Sequence, residues 1–164
     1  MIFNIKKHNT ELYNTLLHLS RNEKFYKDIN LSDTFETRIY LMFIHFSVIL
    51  MLFKKRGIKF PQHNYDSLFF CIENNLRELG FGDVSVNKKM KDMNKILYDI
   101  LLKINLDEKN FKINKNLINK YFNEFKKLDS EKYELFEAYL MKFYDFCFEL
   151  RLETMIKDIL KFKV

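Results

Sequence analysis

The chain has 164 residues and a formal net charge of +6, and 48% of its residues are hydrophobic and 16% aromatic. This composition supplies enough apolar surface for one packed core and excludes an intrinsically disordered chain. The chain contains only 3 glycines and 1 proline, and because sheets with tight turns need more of both residues, long helices are favoured.

The first two predicted elements are short helices. Thr10 or Asn9 can cap a helix over residues 11–19, in which apolar residues recur at helical spacing. Asn22 can cap a second short helix that carries two aromatic residues. A turn at residues 30–32 leads from there into the next element.

The central predicted element is an apolar helix from Asp33 to Arg56. Asp33 is expected to cap it, and Glu36 is expected to reach back to the Asp33 amide in a capping box. From Ile39 to Phe53 nearly every residue is apolar, so the helix must be surrounded by a helical core or by a membrane. The apolar run is shorter than the roughly 18 to 20 residues that a bilayer span needs. We therefore predict a buried helix at the centre of the fold.

The rest of the chain also shows helical patterns. Gly57 and Gly80 are expected to end the central helix and a second long helix, over residues 64–79, because glycine readily adopts the left-handed conformation that follows helix C-termini. The chain is predicted to form an all-α bundle of seven or eight helices and no sheet, in one domain spanning residues 1–164. The remaining predicted segments are a helix over 86–104 capped by Asp83 or Ser85, a polar connector at 105–110, a helix opening at Asn114, and a long helix from Ser130 that bends or continues into 151–162.

No pattern in the sequence indicates a catalytic, metal or cofactor site. None of the four histidines has HxxxH or HExxH spacing, and no cysteine lies near one in sequence. The turn at residues 80–82 lacks the GxGxxG pattern and the preceding strand of a dinucleotide-binding loop. We therefore expect no catalytic residues, no metal and no cofactor. The histidines considered are His8, His18, His45 and His63.

Two features bear on location. Cys71 and Cys147 lie in apolar surroundings outside any CxxC pattern, which predicts free thiols in a reducing compartment. Residues 1–7 do not contain the apolar segment of a signal peptide. Both features lead us to expect a cytoplasmic protein.

Charged residues gather at the predicted helix ends. Antiparallel packing would bring the start of the central helix near the end of the second long helix. We expect a polar corner there, held by arginine–carboxylate pairs, which acts either as a structural clamp or as a binding surface. Its predicted members are Asp33, Glu36, Arg38 and His45 on the central helix, and Arg77, Glu78 and Asp83 beyond it.

A run of lysines follows this corner in sequence. Lys88, Lys89, Lys91 and Lys95 form a basic edge on the helix after the glycine turn. The edge is either a solvated helix face or a contact for RNA, a ribosome or lipid headgroups.

Three stretches resemble the ubiquinol–cytochrome c chaperone family. They read RNEKFY at 21–26, DTFETR at 33–38 with His45 in the helix that follows, and LRELGFGDVSVNKKMK at 76–91. The third stretch is the most specific because of its length and order. Two residues depart from the family pattern: Thr37 stands where glycine is usual, and Ile39 stands where phenylalanine is usual.

The resemblance implies a non-enzymatic assembly factor for respiratory complex III that binds newly made cytochrome b. It places a family-like core at about residues 10–105 and a helical extension of the same domain at 111–163. For a bacterial member it implies a location in the cytoplasm or at the cytoplasmic face of the inner membrane. It also implies contact with the ribosome and with a small partner protein, and no specific binding to DNA. The residues expected to bind client or partner are Arg77, Glu78, Asp83, Lys88, Lys89, Met90, Lys91 and Met93.

The net positive charge leaves a second hypothesis open. A basic helical module that binds RNA or anionic lipid, without any client, would show the same charge. Client binding driven by apolar burial should survive salt concentrations that abolish electrostatic binding.

Overall fold

The computed structural model describes residues 10–107, 110–126 and 130–164 of the chain, and these form eight α-helices around one hydrophobic core. The predicted all-α class is confirmed. Predictions for residues 1–9, among them His8, lie outside the described residues. The elements are α1 Glu11–Ser20, α2 Glu23–Lys27, α3 Phe35–Lys55, α4 Gln62–Glu78, α5 Asp83–Lys103, β1 Ile104–Asp107, β2 Asn110–Ile113, α6 Lys115–Tyr121, α7 Ser130–Phe148 and α8 Met155–Asp158, with 3₁₀ turns at Asn123–Lys126 and Ile159–Lys161.

Helix α3 is the centre of the bundle, as predicted. It packs against α1, α5 and α7, and Phe43, Phe46 and Ile49 are fully buried on different sides of it. By length and composition α3 could cross a membrane, but 67% of its most apolar 18-residue window is buried within the protein. This burial is what the core helix of a bundle requires.

The start of α3 differs from the prediction by one residue. Thr34, and not Asp33, is the N-cap: its hydroxyl accepts from the amide of Thr37 at 3.2 Å and lies 3.0 Å from the Thr37 hydroxyl. The predicted capping box between Asp33 and Glu36 is therefore wrong, because Asp33 is held instead by Arg38. Thr37, one of the two departures from the family pattern, takes part in this cap.

Both predicted glycine stops are confirmed. Gly57 has φ +70° and Gly80 has φ +95°. After each glycine the next amide donates to the carbonyl five residues back, Ile58 to Phe53 at 3.0 Å and Phe81 to Leu76 at 3.2 Å. This is the Schellman arrangement. The Gly57 turn leads from α3 into α4, and the Gly80 turn leads from α4 into α5.

The segment predicted as a polar connector contains a short antiparallel hairpin, so the expectation of no sheet is wrong. Strand β1 pairs with β2, with Ile104 opposite Ile113. Ile104, Phe111 and Ile113 are buried. Apolar residues alternate with polar ones in both strands, which is the pattern of a half-buried hairpin. It was missed because each strand has only four residues.

The last long helix does not continue to the end of the chain. Helix α7 ends at Phe148, and α8 follows after a turn. Helix α8 packs against α1, and the Thr15 hydroxyl donates to the Ile156 carbonyl at 3.1 Å. The C-terminal segment thereby closes the core beside the first helix.

Candidate functional site

A paired arginine and aspartate stand at the start of α3. Arg38 Nε donates to Asp33 Oδ1 at 2.8 Å, and Arg38 Nη2 donates to Asp33 Oδ2 at 3.0 Å, which is a two-bond fork. The hydrogen bonds from Arg38 lower the pKa of Asp33, and the nearby charge of Arg21 adds to the effect. The pair holds the segment before α3 against the first turn of that helix.

A second arginine joins the end of α4 to the start of α5. Arg77 donates to Glu73 Oε1 at 3.1 Å and to the Asp83 carboxylate across the glycine turn. Hydrogen bonds to Asp83 and Glu73 raise the pKa of Arg77. Asp83 was predicted as a possible cap for the next helix, but Gly82 occupies that position and Asp83 is the first helical residue. Its role in the structure is to pair with Arg77.

The two helix ends meet at a groove, which we call the corner groove. Its volume is about 410 Å³. Arg38 and Glu78, both predicted at the polar corner, lie on its walls, and Asn75 of α4 donates to the Tyr13 hydroxyl of α1 across its floor. The residues around the corner groove are Tyr13, Leu17, Arg21, Phe35, Arg38, Ile39, Met42, Asn75, Glu78 and Leu79.

His45 lies away from this groove. Its side chain is fully buried, with Nδ1 2.6 Å from the Leu41 carbonyl and Nε2 2.8 Å from the Tyr139 hydroxyl. Burial lowers its pKa to about 4, because the charged imidazolium would lose its hydration. His45 therefore belongs to the core contact between α3 and α7 and not to the polar corner.

A smaller groove of about 220 Å³ lies between α3 and α5, and we call it the lysine-side groove. Lys89 and Met93 line it together with Glu36. Of the other predicted binding residues, Lys88 and Lys91 are exposed on α5, whereas Met90 is partly buried against the core. The complete lining of the lysine-side groove is Phe35, Glu36, Ile39, Tyr40, Lys89, Asp92, Met93 and Ile96.

Apolar side chains are exposed between and beside these grooves. Half-buried Phe35 lines both grooves and forms the ridge between them; Ile39 also lines both grooves but is itself buried. Leu79, directly after α4, is 58% exposed, and Val84, in the first turn of α5, is 85% exposed. Phe81 lies under the ammonium group of Lys89, 4.6 Å from the ring centre. We call the two grooves together with these turn residues the α3 N-terminal surface.

Sequence reasoning missed several residues that build this surface. Glu73 could have been found, because it lies four residues before Arg77 on one helix face. Phe35 and Leu79 could not, because exposure depends on how three helices meet. The partner of His45, Tyr139, is 94 residues away in sequence, and no local pattern indicates such a pair.

The fold and the surface define an all-α protein whose candidate site is a set of apolar grooves with charged rims. Residues 10–107, 110–126 and 130–164 contain no group of three or more His, Cys, Asp and Glu side chains that could hold a metal ion. Apolar grooves with few polar groups are suited to binding a protein segment.

The family model described as Ubiquinol-cytochrome C chaperone matches residues 27–162. Since this is most of the chain, the protein belongs to that family, whose members are assembly chaperones of respiratory complex III. The match differs from the expected coverage of 10–105: it leaves out α1 and all but the last residue of α2, and with them the family-like stretch at 21–26, and it includes α6, α7 and α8. No curated protein matches the chain. No solved structure matches it either.

Proposed function

We propose that this protein assists the assembly of respiratory complex III by binding newly made cytochrome b at the α3 N-terminal surface. Family membership supports an assembly role, a client protein and a non-enzymatic activity. The single observation that supports the surface is the exposure of Leu79 and Val84 beside two apolar grooves. Exposed apolar residues grouped around grooves are typical of interaction sites.

The chemistry of the surface suits a hydrophobic client that carries some charge. The ridge formed by half-buried Phe35, together with exposed Leu79, offers apolar contact, and Met93 can adapt to different side chains. Arg38 and Glu78 on one groove, and Lys89 and Asp92 on the other, give charges of both signs around the ridge. Charges of both signs would orient the client, while the apolar ridge would supply most of the binding free energy.

We also propose where this binding takes place. Cytochrome b is a hydrophobic protein, so binding during its synthesis would keep its segments from aggregating before insertion. In a bacterial cell this corresponds to the cytoplasmic face of the inner membrane, near the ribosome, with a small partner protein as a further contact.

Co-purification of cytochrome b with the tagged full chain tests the surface. Leu79→Asp combined with Val84→Asp should reduce recovery about tenfold or more, because both side chains are exposed and each would bring a charge into the apolar contact. Leu160→Asp is the matched control, since Leu160 is 45% exposed on the last 3₁₀ turn and lines neither groove. Unchanged recovery in the double variant, in Arg77→Ala and in Lys88→Glu with Lys89→Glu would overturn the assignment.

The assembly role has its own test. Deleting the gene should lower the absorbance of cytochrome b in membranes, because complex III would not be completed. Normal levels of cytochromes b and c in the deletion strain would refute the role. Co-purification that persists at high salt would separate client binding from the alternative of a purely electrostatic RNA- or lipid-binding module.

A further inference from the structure

The opposite end of α3 carries a different groove, which we call the basic-end groove. It lies between the C-terminal halves of α3 and α5 and has a volume of about 670 Å³. Leu50, Met51, Leu101 and Ile104 form its apolar walls. This groove shares no lining residue with the corner groove or the lysine-side groove.

Two apolar side chains stand out from the rim of this groove. Leu102 is 82% exposed and Tyr98 is 60% exposed, and both lie on α5. A single exposed leucine or tyrosine is common on protein surfaces. Here, however, both residues border a groove that is itself apolar. Tyrosine is also one of the residues that favour the boundary between lipid and water.

The segment that ends α3 carries cations and no carboxylate. Lys54, Lys55, Arg56 and Lys59 follow one another, and the sequence has no acidic residue from position 37 to position 65. Across the three described ranges of the chain, no carboxylate forms an ion pair with any of these four cations. The C-terminal dipole of α3 offsets only about half a unit charge.

The basic end is also structurally fixed. Arg56 donates to the Phe148 carbonyl at 2.5 Å and to the Leu150 carbonyl at 2.8 Å, which ties the end of α3 to the end of α7. Lys55 lies over the Phe148 ring, with Nζ 5.1 Å from its centre. Lys54, Lys55 and Arg56 therefore stand on an ordered helix end, and Lys59 follows in the loop that leads to α4. Glu149 is the first residue after α7 and adds a carboxylate next to Phe148 in sequence.

We propose that the basic end docks on the surface of a lipid bilayer that contains anionic phospholipids. Lys54 and Lys59 would contact phosphate groups, while Leu102 and Tyr98 would enter the interfacial layer. Apolar side chains next to lysines match the two contributions that hold proteins at such surfaces, apolar burial and attraction to anionic headgroups. RNA would use the same cations but would gain little from an aliphatic side chain such as Leu102.

This docking does not depend on the client proposed above, and its test is separate. The purified full chain would be floated with vesicles of phosphatidylcholine alone and of phosphatidylcholine with phosphatidylglycerol. We expect binding to the anionic vesicles only. Lys54→Glu with Lys59→Glu should weaken that binding about tenfold or more, because several favourable charge contacts become repulsive.

A matched pair of charge reversals controls for net charge. Lys88→Glu with Lys91→Glu changes the total charge equally at the other end of the protein and should change vesicle binding less than about twofold. Equal loss in both pairs would mean that only net charge matters and would overturn the proposal. Absence of binding to anionic vesicles by the unaltered chain would overturn it as well.

Fluorescence can locate the contact, because the chain contains no tryptophan. In Leu102→Trp the single indole should shift to shorter wavelength when anionic vesicles are added, since it leaves water. Val84→Trp is the control at the other end, where the native side chain is 85% exposed, similar to the 82% of Leu102. No shift in Leu102→Trp, or the same shift in both variants, would contradict insertion at the basic end. If RNA displaces the unaltered chain from vesicles, and displaces the Leu102→Trp variant equally well, that result would also contradict insertion at the basic end.

Discussion

The two ends of α3 use arginine in different ways. At the N-terminal end both arginines are matched by carboxylates: Arg38 pairs with Asp33, and Arg77 pairs with both Glu73 and Asp83. At the C-terminal end Arg56 donates to backbone carbonyls, so its charge stays uncompensated by an acidic side chain among the described residues. The arginines hold helix ends together in both places, but only at the C-terminal end does the arginine have no carboxylate partner among the described residues.

This difference matters for what each end can bind. Charges of both signs around apolar grooves favour a protein segment with its own charge pattern. Cations of one sign beside exposed apolar residues favour an anionic surface. A single helix can thus present two kinds of interaction surface, and neither is evident from the net charge of +6 alone.

The largest expected effect comes from the middle of α3, which supports both ends. Phe43 is fully buried and stacks on Phe69, with ring centres 5.8 Å apart. Phe43→Ala should lower the free energy of unfolding in urea by about 3–5 kcal/mol, because it leaves a cavity in the core. Leu160→Ala, at a 45% exposed position, should change it by less than about 0.5 kcal/mol. A small loss in Phe43→Ala would mean that the two ends do not share one core.

A change in pH should alter the stability of the same central region, through His45, and not through the arginine–carboxylate pairs at the surface. The pKa of His45 is lowered from 6.5 to about 4 in the folded chain, so the unfolded chain binds more protons between these values. Stability is then lost as the pH falls from about 6.5 towards 4, by about 2 kcal/mol between pH 7.5 and pH 5.

Urea unfolding at the two pH values checks this expectation. His45→Phe should remove most of the pH-dependent loss in the free energy of unfolding, whatever the stability of this variant at pH 7.5. His63→Phe, at an exposed position, should keep the loss. A pH dependence that survives in His45→Phe would show that other groups cause it.

The smallest expected effect compares the two ends directly. Gly57 and Gly80 both have positive φ, and no atom lies within 4 Å of a Cβ added at either position. Gly57→Ala and Gly80→Ala should therefore each cost about 1 kcal/mol through backbone conformation alone. Gly82→Ala is the control, because Gly82 has extended backbone and open space as well. Unequal costs in thermal or urea unfolding would show that one turn has further constraints.

The sequence predicts most of this fold because apolar periodicity is local. Residues from Ile39 to Phe53 are apolar on every side, and only a buried helix satisfies them in water. The glycine stops could also be predicted, since Gly57 and Gly80 each precede an apolar residue that closes the turn. The cap was misassigned because Asp33 and Thr34 are both good caps, and the pairing of Asp33 with Arg38 decides between them.

The candidate surfaces were harder to predict. Lys88, Lys89 and Met93 were found from the family-like stretch, but the groove that Lys89 and Met93 share with Glu36 depends on how α3 and α5 pack. The basic end escaped attention because its cations are contiguous in sequence, whereas Leu102 and Tyr98 come from another helix. The hairpin at Ile104 was missed because two strands of four residues give almost no periodic signal.

The length of α3 sets the distance between the two proposed binding surfaces. The helix has 21 residues with no glycine or proline inside it, so it is about 30 Å long and resists bending. With its C-terminal end against a bilayer and its axis upright, the other end would stand about one bilayer-core thickness above the lipid. A nascent chain held there would meet the protein before it meets the membrane, at a height that the helix fixes and that no hinge within α3 can alter.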